Sequence, residues 1–222
     1  MEKARYGQNP GLIWANSKVT KPVNLSRQSF SDWYKDTHVP DVLKTGAVKE
    51  ACRYEAIDPN EEQFHLALYY AENMDRLYDK VKAVPQDEKI FDNASFDTRF
   101  YKFTQIYENK DASTDQPSIC LSTEMSPGDV EDYDRWYREE HLQDGSKVRG
   151  WQRTERYELL EALRTPDAPR FLVLFFLDGD SVPIEDMQKA GGSEWTKKIV
   201  GGMKQFRSVA FKKASHHVAS HL

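Results

Sequence analysis

Two pairs of side chains are suited to proton chemistry. Tyr34 and His38 are four residues apart, as are Tyr137 and His141. On a helix that spacing sets two side chains next to each other on one face. An imidazole with its ordinary pKa of about 6.5 can take a proton from an acidic carbon or phenol and later return it. A phenol beside it can donate a hydrogen bond to the oxyanion that develops. His38 is therefore the candidate general acid/base, with Tyr34 orienting the substrate oxygen. The competing reading is a packing histidine bonded to backbone. Trp33 and Trp136 precede the two tyrosines, and they supply either core packing or aromatic walls for a planar molecule.

Both pairs belong to a longer internal similarity. Residues 30–55 align with 133–158 without a gap at an offset of 103, and 8 of the 26 positions are identical. Trp33, Tyr34, His38, Asp41, Lys44 and the run Arg53-Tyr54-Glu55 match Trp136, Tyr137, His141, Asp144, Lys147 and Arg156-Tyr157-Glu158. Average composition gives roughly one or two such matches, so the pattern reads as a tandem duplication. The flanks follow in the same order. LIWANSKV corresponds to SICLSTEM as an opening strand, and FHLALYY to FLVLFFL as a continuous apolar strand buried on both faces. DEKIF corresponds to TKKIV as a second helix, and RFYKFTQIY to FRSVAFKK as a closing strand.

Each half thus reads β-α-β-β-α-β, with the first repeat over 11–107, a polar linker over 108–117, the second repeat over 118–213, and flexible tails at 1–10 and 214–222. Ser29 or Ser31 is the expected N-cap of the first site-bearing helix and Asp132 that of the second. Pro40 is expected to kink or end the first helix, whereas its counterpart Gln143 lets the second run straighter.

Strand alternation sends either Tyr54 or its neighbours Arg53 and Glu55 toward the interior, but not both. An interior tyrosine is favoured, and the same holds for Tyr157 beside Arg156. His65, in an apolar strand, is either a polar contributor to a pocket or a satisfied core residue.

The chain has 222 residues and a formal charge of -5, a balance that offers nothing to nucleic acid or anionic lipid. Cys52 and Cys120 lack metal-ligand spacing and read as reduced thiols. The first ten residues contain no apolar run for a leader or a membrane span, so a cytoplasmic location is expected. There is no Gly-x-Ser-x-Gly elbow, phosphate-binding glycine loop or His-Glu-x-x-His helix. His216, His217 and His221 near the C-terminus are read as a frayed end able to hold a stray ion, and no catalytic metal is expected.

The Trp-Tyr-x3-His-[Val/Leu]-x-Asp pattern, between a strand and an Arg-Tyr-Glu strand, resembles the EthD-like branch of the dimeric α/β-barrel superfamily, and the resemblance covers both halves. It implies two tandem ferredoxin-like repeats, an α+β arrangement whose antiparallel sheets pair into one pseudo-dimeric α/β barrel around a cavity. It also implies a monomer with internal pseudo-two-fold symmetry, leaving further self-association open. The second half departs from the commoner His-x-Pro form at His141-Leu142-Gln143, which favours the first half as the active one.

The function this implies is a cofactor-independent enzyme acting on a hydrophobic aromatic or polyketide-like metabolite. Cyclisation, dehydration, decarboxylation and isomerisation all remain open. His38 and Tyr34 would be catalytic, and Trp33, Tyr54, His65, Trp136, Tyr137, His141 and Tyr157 substrate-binding. The alternative is a non-catalytic small-molecule-binding or stress-related barrel protein. Haem enzymes share the superfamily, but no histidine here matches a haem ligand.

Overall fold

The structure, a computed structural model, describes residues 9–75, 77–81, 84–111 and 115–219. The chain divides into two compact units. One comprises Met1–Phe103, Leu160–Pro166 and Lys213–Leu222, the other Thr104–Leu159 and Asp167–Lys212.

The first unit opens with strand β1 (Gly11–Val19). Helix α1 (Arg27–Trp33), a π-helical turn (Tyr34–His38) and helix α2 (Val39–Lys44) follow as one continuous helical run. Then come β2 (Glu50–Ala56), β3 (His65–Ala71), the short helices α3 (Leu77–Val81) and α4 (Glu88–Phe91), and β4 (Ala94–Glu108). β1 pairs antiparallel with both β3 and β4, and β2 pairs with β3, giving the order β4-β1-β3-β2.

The second unit repeats that element order. It has β5 (Ile119–Pro127), α5 (Val130–Trp136), a π-helical turn (Tyr137–His141), α6 (Leu142–Gly145), β6 (Trp151–Ala162), β7 (Phe171–Leu177), α7 (Ile184–Ala190), α8 (Glu194–Gly201) and β8 (Met203–Val218). Its sheet order is β8-β5-β7-β6, again antiparallel. β8 continues to Val218, so residues 214–218, expected as tail, are strand. His221 lies outside the described residues.

In each unit one sheet face packs on the helices. In the first unit Ile13, Ala15, Ala51, Ala67, Tyr69 and Phe100 meet Phe30, Tyr34, Val39 and Val42. The alternate residues Leu12, Trp14, Cys52, Tyr54, Leu66 and Leu68 are fully buried on the opposite face. That explains why β1 and β3 lack a polar alternation: both faces are covered. Cys52 and Cys120 are buried thiols, not joined in a disulfide. No helix among the described residues is long and apolar enough to cross a membrane.

The helix starts differ from the sequence expectation. Ser26, not Ser29 or Ser31, caps α1, its hydroxyl accepting from the Ser29 N–H at 3.0 Å. Asp129, not Asp132, caps α5, accepting from the N–H groups of Glu131 and Asp132 at 3.0 Å. Ser26 lies three residues before Ser29 and five before Ser31, and Asp129 three before Asp132, so the buried Phe30 and Tyr133 stand inside the helices and not at their first position.

The helical run does not end at Pro40, which stands at the start of α2, directly after the π-turn. The irregularity is the π-turn, in which Val39 N–H bonds back to the Tyr34 carbonyl. The second half has the same turn, Leu142 N–H to Tyr137 carbonyl, with no proline at all. Proline is therefore not its cause.

Candidate functional site

The π-turn sets the site geometry. Inserting one residue into the helical ladder brings residues five apart into contact. The His38 ring stacks on Trp33 at 4.9 Å and meets Tyr34 edge-on at 5.0 Å. His141 stacks on Trp136 at 4.0 Å and meets Tyr137 edge-on at 5.1 Å.

Each unit has a pocket between its helices and the helix-facing side of its sheet. The first, of about 190 Å³, is lined by Tyr34, His38 and Val42 from the helices and by Ile13, Ala15, Tyr69, Phe96, Thr98 and Phe100 from the strands. Leu163 and Arg164 form part of its rim. They are held by Leu163 N–H donating to the Thr98 carbonyl at 3.0 Å and by the Thr165 hydroxyl donating to Asp97 at 3.0 Å. The second pocket, of about 260 Å³, is lined by Trp136, Tyr137, His141, Thr123, Thr154, Phe175 and Ser208, with Met125, Met187 and Met203 among its apolar wall.

The first pocket has a polar end. Burial raises the pKa of the Tyr34 phenol, while Arg53 and the hydroxyls of Tyr69 and Ser17 pull it back. The Tyr69 phenol is raised well above its usual value by burial and by Tyr34 beside it. Among the described residues neither the Tyr69 nor the Ser17 hydroxyl makes a well-formed hydrogen bond. Of the two, Tyr69 lines the cavity together with Tyr34, an arrangement that favours a ligand oxygen, while Ser17 stands beside Tyr34 outside the lining.

The histidine is neutral at pH 7, because burial lowers the His38 pKa to about 4, with Asp41 opposing and Arg53 reinforcing the shift. Its Nδ1 is buried without a hydrogen-bond partner among the described residues. His141 is alike in both respects, with a pKa lowered to about 4 by burial.

Arg53 supports the polar end from the side. It is buried, lies 4.8 Å from the Tyr34 ring centroid, and donates to the Ser31 carbonyl at 3.0 Å. Arg156 repeats this at 4.2 Å over Tyr137 and is fixed by Gln105 at 2.6 Å and Asp134 at 3.0 Å. A guanidinium on the face of a tyrosine locks the ring while remaining hydrogen-bonded at its edge.

Of the residues expected to form the site, Tyr34 and His38 meet in the first pocket, and Trp136, Tyr137 and His141 in the second. Trp33 stands behind His38, outside the lining. Tyr54 and Tyr157 are buried on the other sheet face, where the Tyr157 hydroxyl donates to Glu155 at 2.7 Å. His65 is buried against Phe30 at 4.9 Å with Nδ1 3.5 Å from Glu55, away from the pocket. The two pockets described lie on the face carrying Arg53 and Tyr69, and neither Tyr54 nor Tyr157 lines them. Tyr69 and Ser17 were not foreseen; strand pairing sets Tyr69 where the other half has Phe175, one residue off the match of the FHLALYY and FLVLFFL runs.

No family model matches the chain. A protein named "Core atranone cluster (CAC) protein 1" from Stachybotrys chlorohalonatus (strain IBT 40285) is 24% identical over 208 residues, covering 83% of this chain and 88% of that protein. An anthrone oxidase-like protein superposes with a TM-score of 0.59 at 11% identity over 95% of this chain and 94% of its own. A monooxygenase candidate from Fusobacterium nucleatum subsp. nucleatum gives 0.60 at 10% identity over 98% and 97%. A chlorite dismutase candidate gives 0.63 at 10% over 94% and 96%. At these identities the likeness shows the fold alone.

Proposed function

We propose that this chain is an enzyme of secondary metabolism that binds a hydrophobic aromatic or polyketide-like metabolite in its first pocket and acts on it by proton transfer without a cofactor. The observation that carries this reading is the polar end of that pocket. Tyr34, Tyr69 and a neutral His38 converge in a lining that is otherwise mostly apolar, with Ser17 behind Tyr34. The Stachybotrys relative, whose name places it in a core atranone cluster, supports a role in secondary metabolism. The anthrone oxidase-like neighbour supports an aromatic substrate.

The chemistry follows from the groups present. Tyr34 and Tyr69 donate to a substrate carbonyl, which acidifies its α-carbon, and neutral His38 accepts that proton. A buried imidazolium is costly, so the step depends on the enolate forming next to it as counter-charge. Cyclisation, dehydration, decarboxylation and isomerisation share such an enolate step. Uptake of solvent deuterium at the α-carbon of aromatic ketones, followed by proton NMR in chelator-treated buffer, detects that step whatever the natural substrate is. Exchange above the buffer rate is expected. Its absence across a panel of such ketones would count against proton transfer. The low basicity of His38 favours a second reading, a carrier pocket without turnover, in which case ketones bind and do not exchange.

The proposal extends to architecture. The two halves are taken as a tandem duplication of a ferredoxin-like unit of the EthD-like kind, with repeats over 11–107 and 118–213 whose sheets pair into one barrel. Halves expressed separately, cut within 108–117, are expected to be insoluble or to associate with each other. Two stable, independent monomers would refute this.

A further inference from the structure

A second constellation lies on the other face of the first sheet. Glu50 and Cys52, two apart on β2, project to the face opposite Arg53. The end of β8 comes alongside, fixed by Ala219 N–H donating to the Lys49 carbonyl at 2.8 Å. It brings His216 Nε2 to 2.9 Å from Glu50 Oε1, and Cys52 Sγ is 3.7 Å from the same oxygen. The three donor atoms lie within 4.8 Å of one another. Cys52 is fully buried, while the side chains of His216 and Glu50 are 34% and 28% exposed, so the cluster opens to solvent on one side.

One sulfur, one imidazole nitrogen and one carboxylate oxygen form a donor set suited to zinc rather than to calcium or magnesium, which take oxygen ligands. Tetrahedral bonds of about 2.0–2.3 Å separate neighbouring ligands by about 3.3–3.7 Å; the two separations from Glu50 stand within about half an ångström of that range, and the third, between Cys52 and His216, is no more than 4.8 Å.

The other half shows that the fold does not impose this convergence. Strand pairing sets Cys52 opposite Leu68 and Glu155 opposite Leu174, so Arg153 and Glu155 stand where Glu50 and Cys52 do. They form an ion pair of 2.7 Å. Ile106, four residues beyond Lys102, takes the place of His216, four beyond Lys212. There a guanidinium provides the cation from within the chain.

We infer that Glu50, Cys52 and His216 form a binding site for a zinc-class divalent cation, with a fourth position open to water. The site is across the sheet from His38, so its role is to tie the end of β8 to β2 and not to take part in the proposed proton transfer.

Cobalt(II) titration of the metal-stripped, full-length protein tests this. One equivalent is expected to produce a thiolate-to-cobalt charge-transfer band in the near ultraviolet, with tetrahedral visible bands, and zinc is expected to abolish them. Loss of an outer-shell partner costs about 10- to 100-fold in affinity, so His216→Gln, which removes a ligand, should weaken binding by at least about 100-fold. Cys52→Ser should eliminate the charge-transfer band. The double change His217→Ala/His221→Ala should leave both unchanged. If Cys52→Ser does not fold, His216→Gln, at a partly exposed position, still decides. No thiolate band at any cobalt concentration, or binding that survives His216→Gln and disappears with His217→Ala/His221→Ala, would overturn the site.

Discussion

The two pockets share a π-turn, a tryptophan, a tyrosine, a neutral histidine and a buried arginine, yet the strands facing them differ. Opposite Ile13 on β1 stands Tyr69, and opposite Leu121 on β5 stands Phe175. Ser17, paired with His65, corresponds to Met125, paired with Phe171. The helical side is thus kept, while on the sheet side phenylalanine replaces the tyrosine, and the hydroxyls that line the second pocket are engaged within the chain, Thr123 with Ser208 at 2.9 Å and Thr154 accepting from the Trp151 indole at 3.0 Å. The lesson is that the histidine alone does not mark a reaction centre. Burial lowers both imidazoles alike, to a pKa of about 4, and what distinguishes the first pocket is a second phenol, Tyr69, beside Tyr34 and the base.

The largest effect expected from this comparison is on rate. Losing a positioned acid/base typically lowers turnover by about 10²- to 10⁴-fold. In the deuterium-exchange assay His38→Gln should fall within that range with its melting temperature near wild type, whereas His141→Gln should change the rate little. Equal losses in both variants would erase the distinction between the halves.

Stability should treat the two histidines alike. Each has a folded pKa near 4 against an ordinary value of 6.5. Between those values the unfolded chain binds more protons, so stability falls as pH drops from 6.5 toward 4 and is unaffected above. The shift corresponds to a loss of up to about 3 kcal/mol per histidine. Urea unfolding across pH 7 to 4 measures it. His38→Gln/His141→Gln should flatten most of the slope, and either single change about half.

A smaller effect is expected from the strand hydroxyl. Tyr69→Phe should lower exchange by about tenfold, the value of about one hydrogen bond to a developing charge, and Phe175→Tyr should bring the second pocket closer to the first without restoring full rate. A Tyr69→Phe variant at wild-type rate would remove the sheet side from the account.

What the sequence made legible follows from distance along the chain. Tyr34 and His38 could be paired because four residues on a helix is a local relation, and the match between halves exposed Tyr137 and His141 in the same way. The stacking of His38 on Trp33 was hidden, since it depends on a π-turn for which neither Pro40 nor any other local residue provides a signal. Tyr69 and Ser17 were missed because they reach Tyr34 across the sheet. The side on which the two pockets open was not legible for a related reason. β1 to β3 are apolar on both faces, so alternation could assign Tyr54 and Arg53 to opposite sides without indicating which side leaves a void.

The claim that the first pocket is the ligand site is tested most directly by native mass spectrometry of the full chain after incubation with an aromatic ketone that supports exchange. Ala15 and Thr123 occupy matching strand positions in the two pockets. Enlarging each to leucine fills one cavity at a cost of about 1–3 kcal/mol. Loss of the bound species in Ala15→Leu, with retention in Thr123→Leu, is the predicted result. Retention in Ala15→Leu with loss in Thr123→Leu would place the ligand in the second pocket and contradict the account.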